Sequence, residues 1–111
     1  MNSPITSTEF VELILSCGSW QEAQKIADSL LQKKLVVCVE FIEVKSKYRW
    51  KSAMEGASEV KLIMQTVSNL FDEVESEVAK LHSYETFVLH QIPITRTSSD
   101  AAKWLKSEVK Q

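Results

Sequence analysis

Val36-Val37-Cys38-Val39-Glu40-Phe41-Ile42-Glu43-Val44-Lys45-Ser46-Lys47-Tyr48-Arg49-Trp50 is the stretch on which the reading of this chain turns. It is rich in Val, Ile, Phe and Tyr and holds neither Gly nor Pro, so it reads as one long β-strand. At about 3.3 Å per residue it would span roughly 50 Å, whereas an ordinary strand has about five or six residues. Lys51 to Ser58, with Gly56, is the expected turn region. Glu59 to Thr66 is the expected return strand. Val60, Leu62 and Met64 alternate there with Glu59, Lys61 and Gln65, and Ile63 breaks the pattern.

Upstream, Phe10-Val11-Glu12-Leu13-Ile14-Leu15 reads as a mostly buried strand ending near Cys17. Ser19 then suits a helix N-cap, and Glu22 stands where a capping box needs its carboxylate. Ala23, Ile26, Ala27, Leu30 and Leu31 recur at helical spacing, and Lys33 and Lys34 suit the negative end of the helix dipole. Downstream, Ser68 opens a second helix whose apolar stripe is Phe71, Val74, Val78 and Leu81. Its acidic cluster, Asp72-Glu73-Glu75-Glu77, reads as a solvated face. Thr86 to Ile94 is the expected fourth strand, stopped by Pro93 and Thr95. A last helix starts near Ser98 to Asp100 and carries Ala101, Trp104, Leu105 and Val109.

The order strand, helix, strand, strand, helix, strand makes two βαβ halves, followed by an extra C-terminal helix. The expected fold is α+β: a ferredoxin-like βαββαβ sandwich with an antiparallel sheet of order 4-1-3-2 and both helices on one face. At 111 residues the chain is expected to be a single domain, 1–111, large enough for a real core. If the first strand ends at the top, the topology brings Cys17, the Tyr48-Arg49-Trp50 segment and the His82-Ser83-Tyr84-Glu85 segment to that end. Cys38 goes to the bottom, out of reach of an internal disulfide with Cys17. The upper end of the long strand should overhang the sheet as a β-hairpin. Its aromatic residues and unpaired backbone groups are most simply satisfied by another copy of the chain.

Composition narrows the classes. The net charge of −2 argues against nucleic acid as a partner, since such binders carry a basic face. No run of eighteen apolar residues exists, so no membrane span is expected. Met1 to Thr8 has no basic n-region or apolar h-region, and a cytoplasmic location is the expectation. The two cysteines lack close-spaced Cys or His partners and form neither a disulfide framework nor a zinc-finger pattern. No Gly-rich phosphate loop, nucleophile elbow or HExxH is present. Cys17-Gly18-Ser19-Trp20 lacks the Arg that a ferredoxin-like acylphosphatase loop would need. The chain is therefore expected not to be an enzyme.

Ser16-Cys17, Glu22-Ala23, Lys34-Leu35-Val36-Val37-Cys38-Val39, Tyr48-Arg49-Trp50, Glu59 to Thr66, Leu81-His82-Ser83-Tyr84-Glu85 and Trp104-Leu105 together resemble the CutA family of divalent-cation tolerance proteins. The resemblance covers residues 9–106 or so, and the order Tyr-x-Trp then His-x-Tyr-Glu is fairly specific. It implies a ferredoxin-like subunit in a tight homotrimer, with overhanging hairpins laid on neighbours and clefts at subunit boundaries. It also implies a link to tolerance of copper and other divalent metals. The chain departs from the family pattern at Glu40 (usually Asn), at Lys51 and Ser52 (where a Gly usually comes soon after the Trp), and at Gln65 (usually Lys). Ser83 stands in place of Pro, and Phe87-Val88 in place of Pro-Glu. Two cleft charges are missing together, at Gln65 and Val88, which marks a divergent member.

The resemblance points to Cys17 and His82 as metal ligands, and thiolate with imidazole suits Cu or Zn. Two ligands do not close a site, and the second His of some members is Leu81 here. No cofactor is assigned with certainty; copper or another divalent metal is the candidate. Tyr48 and Trp50 share one side of their strand and read either as intersubunit packing or as a stacking surface for a ligand. Arg49 points the other way. Tyr84 and Glu85 either ligate something in the intersubunit cleft or, for Glu85, pair with a cation. His90 has no sequence partner. The alternative to metal tolerance is a small-molecule or anion-sensing trimer resembling the PII-type signalling proteins, using the same cleft.

Overall fold

Burial alternates strictly along β1 (Phe10–Cys17), with Val11, Leu13, Leu15 and Cys17 fully buried and the residues between them half-buried. A strand that buries one face needs a layer against that face and neighbours on both edges. The computed structural model, which describes residues 9–111, supplies both; the expectation for Met1 to Thr8 lies outside the described residues. The remaining elements are α1 (Trp20–Gln32), β2 (Cys38–Trp50), β3 (Ala53–Val67), a 3₁₀ turn (Ser68–Leu70), α2 (Phe71–Leu81), β4 (Leu89–Pro93) and α3 (Ser99–Glu108). The sheet order is β2-β3-β1-β4, which is the expected 4-1-3-2 read from the other edge, and each pairing is antiparallel. Val60, Leu62, Met64 and Thr66 of β3 share the buried face with β1. Ala23, Ile26 and Leu30 of α1 and Val74 and Val78 of α2 complete the core.

β2 begins at Cys38 instead of Val36, and the helix expected from Ser68 is a 3₁₀ turn before α2 starts at Phe71; two other boundaries differ more. The expected turn region, Lys51 to Ser58, is a turn only at Lys51-Ser52; β3 starts at Ala53 and pairs with β2 from Trp50↔Ala53 to Cys38↔Gln65. Because β1 pairs with β3 only as far as Cys17↔Val60, the pairs from Val44↔Glu59 outward form a free two-stranded hairpin, the overhang expected from the long strand. Lys51 and Ser52 have φ of 49° and 68°, the paired positive values that a two-residue hairpin turn requires. Gly or Asn usually supplies them, so the turn carries no sequence signal here. The other difference is β4, which begins at Leu89 instead of Thr86. Phe87 leaves the strand direction to stack on the His82 ring, with centroids 5.3 Å apart. Tertiary contact thus overrides the β-propensity of Thr86-Phe87-Val88.

The end of α1 shows a similar substitution of residue type. Lys34 N–H donates to the Leu31 carbonyl and Leu35 N–H to the Leu30 carbonyl, which is the Schellman pattern, with Lys34 at φ 60°. A left-handed lysine is strained by about 1–2 kcal/mol, part of which glycine would give back as unfolded-chain entropy. Lys34→Gly is therefore expected to stabilise the protein by about 0.5–1 kcal/mol, read as a higher urea midpoint with an unchanged m-value.

Glu77 corrects the reading of the acidic helix face. It is only 7 % exposed, and its carboxylate joins α2 to α1 by accepting from Ser29 Oγ (2.7 Å) and Lys33 Nζ (2.8 Å), with Lys80 Nζ at 3.4 Å. The Lys33 and Ser29 hydrogen bonds hold its pKa down at about 2. An unfolded glutamate titrates near 4.3, so this contribution to stability is complete above that pH and is lost as the pH falls toward about 2. Glu77→Gln should lower the urea midpoint at pH 7, and the gap to wild type should close between pH 4.5 and pH 2. A gap that stays constant over that range would exclude the ion-paired role.

Candidate functional site

Three chain segments meet where β1 ends. Cys17 is the last residue of β1, Glu22 lies in the first turn of α1, and His82 caps the C-terminus of α2, its N–H on the Val78 carbonyl at 2.8 Å. One ligand atom from each lies within 4.8 Å of the others. The topology thus brings Cys17 and His82 together, as the strand directions require. Glu22 is the member that sequence reasoning missed. It does serve the N-cap, since Ser19 Oγ accepts from Glu22 N–H at 3.1 Å, but its carboxylate reaches past the cap to Gly18 N–H at 3.2 Å and Ser83 N–H at 2.6 Å. A capping glutamate directly after a strand-end cysteine was the available signal.

The hydrogen bonds define the state of each group. His82 Nε2 lies 2.8 Å from the Ser16 carbonyl, which can only accept, and Nδ1 lies 3.1 Å from the Tyr84 N–H, which can only donate. The imidazole is therefore neutral with its proton on Nε2. Its side chain has no exposed surface, and it packs between Phe87 and Tyr84. Burial pushes the Glu22 carboxyl upward, but the Ser83 and Gly18 N–H groups outweigh it and hold the pKa below the usual range. Burial, then the charges of Glu22 and Glu59, push the Cys17 thiol up to about 12. A buried, protonated thiol is a poor nucleophile despite the neighbouring imidazole and carboxylate.

Tyr84 extends this block toward the hairpin. Its ring lies against Gly18, where an added Cβ would come within 3.0 Å of Cε1, and its hydroxyl donates to Glu59 Oε2 at 2.6 Å. Burial and then that bond raise the phenol pKa. Glu59 is 8 % exposed and pairs with Val44, the first rung of the free hairpin. Tyr48, Arg49 and Trp50 stand further out, opposite Glu55, Met54 and Ala53. Tyr48 and Trp50 are partly exposed on one side of the ribbon; Arg49 has no ion-pair partner among the described residues. Glu85 finds its cation within the same chain, Lys51 Nζ at 3.9 Å, but both side chains are largely exposed and solvent screens the pair.

The other positions singled out by sequence lie elsewhere. Gln65 pairs with Cys38 and Glu12 at the bottom of the sheet, whereas Val88 is at the top, so within one protomer these two positions do not share a cleft. Cys17 and Cys38 are both free thiols. Their rungs are five residues apart on β3, about 17 Å, beyond disulfide reach. His90 is exposed, opposite Ile14.

As a donor set, thiol, imidazole and carboxylate fit a borderline or soft divalent ion, and three protein donors leave room for a water or another donor. The fit requires the thiol to lose its proton and His82 to give up the hydrogen bond at its ligating nitrogen.

Comparison with known proteins agrees with this architecture. The family model described as CutA1 divalent ion tolerance protein matches residues 11–108. The divalent-cation tolerance protein CutA of Archaeoglobus fulgidus is 37% identical over 97 residues, covering 87% of this chain and 95% of the relative. That of Pyrococcus horikoshii is 29% identical over 92 residues, covering 83% and 90%. The solved structure of the periplasmic divalent cation tolerance protein CutA from Archaeoglobus fulgidus superimposes with a TM-score of 0.89 at 36% identity, over 91% of this chain and 99% of the other.

Proposed function

The chain belongs to the CutA1 family of divalent ion tolerance proteins, and from that membership we propose that it is a non-enzymatic homotrimer acting in tolerance of divalent metals, copper foremost. The observation that carries the metal reading is the Cys17–Glu22–His82 group, with its donor atoms within 4.8 Å. These residues would hold the ion; bound there, it would be sequestered by soft and borderline donors. The order of ligand softness favours Cu and Zn over Mg and Ca. Affinity should rise with pH, because the Cys17 proton must leave.

The assembly reading rests on surface chemistry. Ile42, Tyr48 and Trp50 leave an apolar stripe along one face of β2, each more than a third exposed. Another copy of the chain is the cover that matches a ribbon protruding from the sheet edge. The cleft at such a boundary would include Tyr48, Arg49, Trp50, Tyr84 and Glu85. A cytoplasmic location belongs to the same proposal and is tested by cell fractionation.

Calorimetric titration with Cu and Zn decides the metal reading. Wild type is expected to bind both, and a Cys17→Ala, His82→Ala double variant neither, with Mg and Ca inert toward both. Equal binding by wild type and the double variant would assign these residues a structural role only.

A further inference from the structure

We infer that the 82–84 segment is a metal-responsive latch: loading an ion on Cys17, Glu22 and His82 unfastens Tyr84 from the root of the hairpin. This inference rests on the metal reading above and goes beyond it by naming what the ion must displace.

Two of the three donors, Glu22 and His82, already hold hydrogen bonds. Glu22 accepts from the Gly18 and Ser83 amides at 3.2 and 2.6 Å, and His82 Nδ1 accepts from the Tyr84 amide at 3.1 Å. The other ring nitrogen is bonded to the Ser16 carbonyl at 2.8 Å, so ligation through either nitrogen breaks one of these bonds. Ligation through Nδ1 displaces the Tyr84 amide, and the ion then competes with the neighbouring Ser83 amide for the Glu22 carboxylate. The same Tyr84 seats its ring against Gly18 and its hydroxyl on Glu59 at 2.6 Å, at the first rung of the free hairpin. One short segment is therefore tied both to the donor group and to the hairpin. An ion that takes the first set of ties weakens the second.

Reciprocity supplies the test: whatever loosens Tyr84 from the hairpin must tighten metal binding. Two variants loosen it by different means. Tyr84→Phe removes the hydroxyl, and Gly18→Ala crowds the ring, since its Cβ would meet Tyr84 atoms at 3.0 to 3.4 Å. Gly18 does not have a positive φ, so alanine introduces no backbone strain there. Calorimetric titration with Zn²⁺, a redox-silent probe, should show both variants binding about tenfold tighter than wild type. Hydrogen exchange on the wild type should show the Ser83 and Tyr84 amides exchanging faster with Zn²⁺ than without it. Zn²⁺ affinity unchanged or weakened in both variants, or slower exchange at those amides, overturns the latch and leaves the metal reading standing. Absence of Zn²⁺ binding in wild type and both variants overturns the metal reading, and the latch with it.

Discussion

Replacing Trp50 with alanine is expected to dissociate the proposed trimer at micromolar protomer concentration. Trp50 is the last residue of β2, faces Ala53 across the ladder and has Lys51 Nζ 5.6 Å from its ring centroid, yet more than a third of it is still exposed. Among the described residues the ribbon beyond Val44↔Glu59 has no third strand, and an isolated two-stranded ribbon is marginal in water. Tyr48 lies on the same side and is 43 % exposed, with Trp50 at 37 %. If a neighbouring copy buries these rings, truncating one Trp costs about 3–5 kcal/mol per site, and the loss recurs at each symmetric boundary. Sedimentation equilibrium over a concentration series reads the result directly. Wild type should hold a constant trimer mass while Trp50→Ala falls toward the monomer. A wild type that is monomeric throughout would remove the assembly proposal.

The second large effect is expected at His82. His82→Ala should destabilise the protein by about 3 kcal/mol, combining a cavity with two part-buried polar groups stripped of partners. The side chain has no exposed surface, and its nitrogens satisfy the Ser16 carbonyl and the Tyr84 N–H. His82→Phe separates the two contributions. It restores the ring between Tyr84 and Phe87 but neither hydrogen bond, and should recover about half the loss. Urea denaturation at one fixed protomer concentration keeps assembly from confounding the comparison. A Phe variant as stable as wild type would show that packing alone holds the segment, and would leave the described hydrogen bonds without energetic weight.

What could be read without coordinates was local or followed from strand direction. The alternation in β1, the Ser19 cap and the apolar stripes of α1 and α2 are written in residues a few positions apart, where periodicity and capping chemistry act. Given those elements, the sheet order and the meeting of Cys17 with His82 follow, because each element must end where the next can begin. The hairpin turn was hidden, since Lys51 and Ser52 are held at positive φ by the ladder on either side and not by their own preference. The late start of β4 was hidden because Phe87 stacks on the His82 ring instead of continuing the strand.

The same division runs through the site. The sequence by itself determined which donors stand at the top of the domain, because side-chain chemistry and strand direction are both properties of the chain. Only the tertiary structure decided what those donors do at rest. It turned Glu22 from a cap into an acceptor for Ser83, buried Glu77 between Ser29 and Lys33, and set the Tyr84 hydroxyl on Glu59. These partners are 61, 48, 44 and 25 residues apart in the chain. Nothing in a local pattern reports such pairs, because the two groups meet only once the elements that carry them have packed together.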